Sequence, residues 1–333
     1  MGSVASRIYG AVIAHRNRRF DAGRGVLTLD RPVVSVGNLS AGGTGKTPMV
    51  MRICRWLREA GHHPVIAMRG YGSGRGFSDE ALLYDEALPG VPVVARPDRA
   101  AGLLELFATP EGEGVDCILL DDGFQHRRIA RQCEIVLVDS TSNVFTDRLL
   151  PAGWLREPVG SLQRADAVVL THGEARSRGS VVTLEARLWD ASPRFITSAT
   201  RHTWTALRSG DERLGVERLR GTPYMLACAI GNPRAFVAEA ERIAGAPAVA
   251  TMILRDHDSY EPSTLRTLLK RLTESGAGVL LVTEKDWVKL ASVVPAKDWP
   301  RPVWRPELEL TFDRGEAALR SLILERVKAG VPA

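Results

Sequence analysis

An α/β fold, with a mainly parallel sheet carrying helices on both faces, is predicted by three observations. Short β-branched runs alternate with amphipathic helical stretches along most of the 333 residues. The Gly-rich stretch SVGNLSAGGTGKTP (35–48) stands between a strand pattern and a helix pattern. The apolar run VDCILL then ends in two aspartates, Asp121 and Asp122. Together these predict a P-loop NTPase-type unit, followed by a second, smaller α/β domain joined to it by extended linker strands.

The elements follow in order. Residues 1–30 hold Val4, Ile8, Ala11 and Val12 at helical spacing, with six arginines against two aspartates up to residue 31. This basic amphipathic helix accounts for most of the chain's formal charge of +5, and it suits either an anionic lipid surface or packing on the body. Residues 31–193 form the expected P-loop domain. Its strands are placed at Val33–Val36, Pro64–Met68, Val91–Ala95, Asp116–Leu120, Glu134–Val138 and Ala167–Leu170, and a helix at Pro48–Ala60. Residues 194–222 alternate in polarity around the turn SGDE and read as linker strands. Residues 223–302 repeat the strand–helix alternation, with strands in YMLACAI, AVATMIL and VLLVT and a helix in STLRTLLKRLTES. Residues 303–333 give a return strand, VWRPELEL, and a last helix near Glu316–Val327.

Composition sets limits. Hydrophobic residues make up 44% and charged residues 25%, an ordinary globular balance. No apolar run approaches the ~18–20 residues of a membrane span, and the apolar start is too short and too basic at its end for a signal peptide. Cys54, Cys117, Cys133 and Cys228 form no CxxC pair and read as core thiols in a reducing compartment. Aromatic residues are not interleaved with the basic start, so a nucleic-acid role is not expected.

Two motifs carry the chemistry. The P-loop pattern G-x-x-x-x-G-K-[ST] is met at Gly45, Lys46 and Thr47, with Ser40 in place of the first glycine. Backbone amides of Ser40, Ala41, Gly42, Gly43, Thr44 and Gly45 are expected to cradle the phosphates of ATP. Lys46 would reach the β- and γ-phosphates, and the Thr47 hydroxyl would hold Mg²⁺. Ala41 replaces the lysine that precedes the double glycine in membrane-switch ATPases, and TEKD (283–286) has the wrong order for a GTPase base-reading motif. Asp121 and Asp122 end a buried strand, where a P-loop enzyme places its metal carboxylate. Adjacent residues there point to opposite sides, so one is better aimed at the metal. Arg69, Asp98, Arg156 and His257 also follow strand patterns, at the edge where ligands of such sheets gather.

SVGNLSAGGTGKTP, RGYG, DDGFQHRR, LPAGWLREP and TEKD, in this order, resemble the tetraacyldisaccharide 4′-kinases, over nearly the whole chain. The resemblance implies transfer of the ATP γ-phosphoryl group to the 4′-hydroxyl of a lipid-linked glucosamine disaccharide. It also implies attachment through the N-terminal helix to an anionic membrane surface, the cytoplasmic face of the bacterial inner membrane. It assigns Asp98, in RPDRA, as the base for the acceptor hydroxyl, assisted by His257 in RDHDSY. It matches Asp121 and Asp122 to the family's metal-associated pair, one holding Mg²⁺ with Thr47 and the other acting near the acceptor; Asp121 is taken for the metal and Asp122 for the catalytic side with Lys46. Arg156 is the expected holder of the acceptor's 1-phosphate, with Asn38, Gln125 and Arg69 as further substrate contacts. No protein partner is evident. A membrane-associated P-loop ATPase switch and a kinase of another alcohol are the rival readings. Release of phosphate without an acceptor favours the first, and activity without acyl chains favours the second.

Overall fold

The computed structural model describes residues 2–70, 79–173, 178–191, 194–256, 258–295 and 298–331. The chain divides into two units, residues 1–201 with 310–333, and residues 202–309.

In chain order the first unit begins with α1 (Gly2–Asp21), β1 (Val33–Asn38), α2 (Lys46–Glu59), β2 (Pro64–Met68), α3 (Asp79–Ala87), β3 (Val93–Ala95) and α4 (Arg99–Phe107). It continues through the short α5 (Pro110–Glu113), β4 (Cys117–Asp121), β5 (Cys133–Asp139), β6 (Ala167–Thr171), α6 (Arg178–Ala191) and β7 (Ile196–Ser209). The second unit adds β8 (Glu212–Leu214), β9 (Tyr224–Cys228), α7 (Pro233–Ala244), β10 (Ala250–Ile253), α8 (Pro262–Glu274), β11 (Val279–Leu281), α9 (Glu284–Ala291) and β12 (Val303–Arg314). The chain then returns to the first unit with α10 (Glu316–Ala329). β7 and β12 are the two segments that pass from one unit to the other.

In the first unit the strand order is β7–β6–β5–β1–β4–β2–β3, and each of these neighbours is parallel. Side chains alternate across a strand, so both faces must be apolar if both are covered. Val34, Val36, Leu119 and Ile135 join α2, α3 and α10 in one core, through Ile53, Leu57, Tyr84 and Ile323. Val33, Ile118 and Leu120 face the other way, onto Leu103 of α4. Val136, Val138, Val168 and Leu170 pack on Leu184 and Leu188 of α6. Fully burying a Val, Leu or Ile contributes about 1.5–3 kcal/mol, and these runs are buried along their whole length. The four cysteines are free and buried, as their apolar surroundings lead one to expect.

The second unit has its own parallel order, β10–β9–β11–β12, with β8 antiparallel to the end of β7. The turn SGDE closes that hairpin, where Ser209 pairs with Glu212.

Several expected boundaries move by one to a few residues, β1 ending at Asn38 and β4 running over Cys117–Asp121, and some moves have a clear local reason. The helix after the Gly-rich loop starts at Lys46 rather than Pro48. Gly45, at φ 80°, is its N-cap, and a proline within the first turn withdraws no N–H that the helix needs. β3 starts at Val93 rather than Val91, because the Val91 N–H turns back to the Leu88 carbonyl and Pro92 has no N–H. α1 ends at Asp21, within the span of 1–30.

α1 lies against segment 149–157. Ser6 Oγ donates to the Leu149 carbonyl at 2.8 Å and Tyr9 OH to the Arg156 carbonyl at 3.0 Å. Asn17 Nδ2 donates to Glu157 Oε2 at 2.7 Å, and Ile13 is buried on the same side. The other side of α1 exposes Val4, Ile8 and Val12, each about 60% accessible. No described helix is long and apolar enough to cross a membrane.

Candidate active site

Because every neighbouring pair in the first sheet is parallel, all its strands end at one edge. The Gly-rich loop follows β1, Arg69 follows β2, Asp98 follows β3, Asp121 ends β4 and His172 follows β6. The strand-end residues of the first unit singled out from the sequence therefore share one edge.

The loop is held open by its own sequence. Gly42 (φ 117°) and Gly45 (φ 80°) take backbone angles that other residues avoid. Asn38 is fully buried, and its Nδ2 donates to the Ser40 carbonyl at 2.7 Å and to Thr44 Oγ1 at 2.9 Å. This amide shapes the loop from inside, the turn role that is the plain alternative to a substrate contact. His172, at φ 57°, places Nε2 3.1 Å from the Gly43 carbonyl. On the other side the Ala41 N–H donates to the Trp154 carbonyl and the Arg156 N–H to the Leu39 carbonyl, both at 2.7 Å. The motif LPAGWLREP is thus an antiparallel brace along the start of the loop, with Ser40 bridged to Leu155.

The amino end of α2 has no side-chain cap and no acidic residue in its first turn. Asp98, Asn232 and Thr283 cap α4, α7 and α9 with their side chains. Uncapped amides at a helix start, beside the ammonium group of Lys46, fit an anion such as a phosphate chain. Thr47 lies in the first turn of α2, largely buried.

The paired aspartates differ in environment. Asp121 is 3% exposed, and its Oδ2 accepts from the Tyr84 hydroxyl at 3.0 Å. Asp122 has φ 51°, a strained angle for an aspartate at the end of a strand. Arg156 Nη1 donates to both its carboxylate oxygens at 2.8 and 2.9 Å, and Lys46 Nζ lies 3.4 Å from Oδ1. Arg99 Nη1 donates to its carbonyl at 3.2 Å. Burial alone would raise the Asp122 pKa, but the charges of Lys46, Arg156 and Arg99 outweigh it and hold the carboxyl below its ordinary range. Gln125 Nε2 donates to the Asn38 carbonyl at 3.0 Å, and its Oε1 is 3.4 Å from Arg156 Nη1. Gly37 lets this turn approach, since a Cβ there would lie 2.4 Å from that of Phe124.

Lys46, Asp122, Arg156, Gln125 and Asn38 are therefore brought together by direct contacts. Asp98 is exposed, and its Oδ1 accepts the Ala101 N–H at 3.2 Å as the cap of α4. Arg69 is exposed, and its charge bears on Arg99. His257 lies outside the described residues. Three residues join the site that the sequence did not single out. Arg99 reads as the first residue of a helix and Tyr84 as part of an apolar helix face. His172 carried the better signal, a polar residue directly after a buried strand, which is the same rule that identified Asp121. Elsewhere His62 Nδ1 pairs with Asp116 Oδ2 at 2.9 Å, beside Cys117 at the start of β4, the opposite edge of the sheet.

A lysine, two arginines and two strand-end carboxylates around an uncapped helix start define a P-loop phosphotransferase. The chain matches the family model for tetraacyldisaccharide-1-P 4′-kinase over residues 2–328. It is 34% identical over 325 residues to the tetraacyldisaccharide 4′-kinase of Syntrophus aciditrophicus, covering 90% of this chain and 84% of that protein. It is 35% identical over 316 residues to that of Geobacter sulfurreducens, covering 87% and 84%. A crystal structure of the apo form of LpxK from Aquifex aeolicus in complex with ATP superposes with a TM-score of 0.71 at 30% identity, covering 97% of each chain. The chain belongs to the tetraacyldisaccharide-1-P 4′-kinase family, and it is a kinase.

His126, in the same turn, is pushed down to about 4 by burial and by Arg99, Arg131 and Arg128, with Asp98 opposing. Its Nε2 is buried without a hydrogen-bond partner among the described residues. The imidazole is therefore neutral at neutral pH. A pKa lower in the folded than in the unfolded chain gives stability that is complete above the ordinary 6.5 and is lost as pH falls toward 4. An NMR titration is expected to show a His126 midpoint near 4, and His126→Gln is expected to flatten the acid loss of stability between those values.

Proposed function

We propose that this chain transfers the γ-phosphoryl group of ATP to the 4′-hydroxyl of a tetraacyl glucosamine disaccharide 1-phosphate, the lipid A precursor, at the cytoplasmic face of the inner membrane. The observation that carries this reading is the contact set of Lys46, Asp122 and Arg156 beside the uncapped start of α2, in a chain of this family.

The uncapped amides and Lys46 fit the triphosphate. Thr47 and Asp121 fit a Mg²⁺ ion in donor chemistry, a hydroxyl and a carboxylate next to the phosphate cradle. When bound, Mg²⁺ supplies charge neutralisation on the β- and γ-phosphates. At 3.4 Å the Lys46–Asp122 pair is long, so phosphate oxygens compete for the ammonium group. Asp122 then keeps Arg156 as its partner and holds that guanidinium beside the loop. The proposal gives the remaining N–H groups of Arg156, with Gln125 and Arg69, to the acceptor's anionic groups.

The acceptor hydroxyl must lose a proton, and Asp98 is the proposed base on the resemblance of RPDRA. His257 stays in the proposal as its assistant on the same ground. The cap that Asp98 gives α4 separates two roles in one experiment, because asparagine also caps but is not a base.

For the membrane, Val4, Ile8 and Val12 form an exposed row at helical spacing, and Arg7, Arg18 and Arg19 are exposed on the same helix. Trp154, in the segment that α1 packs against, is 66% exposed. An apolar row with basic neighbours suits an interfacial helix that lies among acyl chains and lipid phosphates.

With labelled ATP and the tetraacyl disaccharide 1-phosphate, phosphoryl transfer is expected, with little to the deacylated sugar. Lys46→Ala is expected to lower it by about 10²–10³-fold, the scale for loss of one preorganised charge, and near-normal transfer would sink the phosphate-loop role. Asp98→Asn is expected to lower kcat by about 10²–10⁴-fold with ATP KM within a few fold. Unchanged turnover would remove Asp98 as the base. Ile8→Asp is expected to weaken sedimentation with anionic vesicles while ATP binding is kept. Equal sedimentation would remove α1 as the lipid contact.

A further inference from the structure

Tyr84 is fully buried in α3, in the core cluster that also holds Trp56, Ile66, Leu88 and Leu119. Packing alone would be met there by phenylalanine. The hydroxyl nevertheless reaches the end of β4 and donates to Asp121 Oδ2 at 3.0 Å. A buried hydroxyl and a buried carboxylate each cost free energy without a partner, and here each supplies one to the other. The hydroxyl is the donor and the carboxylate oxygen the acceptor. The contact joins two elements far apart in sequence, the third helix and the fourth strand. It fixes the turn of the Asp121 carboxylate about its own axis, because one oxygen is committed to the helix.

We infer that Tyr84 is a positioning residue for Asp121, aiming that carboxylate at the divalent cation that accompanies the nucleotide. This rests on the proposed role of Asp121 as the metal carboxylate. Groups that orient a metal ligand typically change affinity by about 10–100-fold when removed. Tyr84→Phe removes only the hydroxyl and keeps the ring in its core.

The test uses the full chain with Mn²⁺ as probe, its free concentration read by electron paramagnetic resonance in the presence of a non-hydrolysable ATP analogue. Tyr84→Phe is expected to weaken Mn²⁺ binding about 10-fold. Analogue binding in EDTA and the melting temperature should stay near those of the parent, and kcat should recover as Mg²⁺ is raised. Asp121→Asn is run beside it. If Asp121→Asn loses Mn²⁺ and Tyr84→Phe does not, the inference is overturned and the metal role of Asp121 stands. If Asp121→Asn binds Mn²⁺ like the parent, that role fails and the inference with it. If Tyr84→Phe loses Mn²⁺ affinity, metal-free analogue binding and thermal stability together, Tyr84 is a packing residue and the inference is likewise overturned.

Discussion

A single carboxylate, Asp122, organises the site. Arg156 grips it with one guanidinium nitrogen, Lys46 approaches it from the phosphate loop, and Arg99 holds its carbonyl. Three cations around one aspartate leave a local excess of positive charge in a half-buried place. That excess suits a ligand more anionic than the protein can supply for itself. The left-handed angle of Asp122 belongs to the same arrangement, since it turns the chain sharply after β4 and sends DDGFQHRR back over the end of β1.

The loop that would take the ligand is braced without being filled. Asn38 fixes it from within, His172 from the end of β6, and segment 149–157 along its start. These contacts go to backbone carbonyls, to the Ala41 N–H and to the Thr44 hydroxyl, and they leave the amino end of α2 uncapped. Rigidity and openness are reconciled by giving the supports one set of groups and the ligand another.

Much of this was legible in the sequence. Short β-branched apolar runs gave the strands, and their alternation with helical stretches gave the parallel sheet, because each pattern follows from one local rule. Lys46, Thr47, Asp121 and Asp122 were legible because a motif joins them to a strand or helix end. Asn38 was legible only as a polar residue after a strand, which looks the same whether it faces solvent or its own loop. Tyr84 and Arg99 were missed because their partners come from other parts of the chain, and spacing along one helix does not report such pairs. The exposed row on α1 could be read as a helix face, but the other side was hidden, because its anchors lie some 140 residues away.

Glu157 shows what that distance implies. It is fully buried, and it is held by Asn17 and Arg164, with Arg16 3.7 Å away. Two of these three come from α1. The carboxylate is one residue beyond Arg156, whose backbone props the phosphate loop. Trimming the amino terminus, or pulling it aside with a bulky fusion tag, would leave this buried carboxylate with Arg164 alone of the three. Where a tag is attached therefore bears on how a buried charge next to the loop's brace is held.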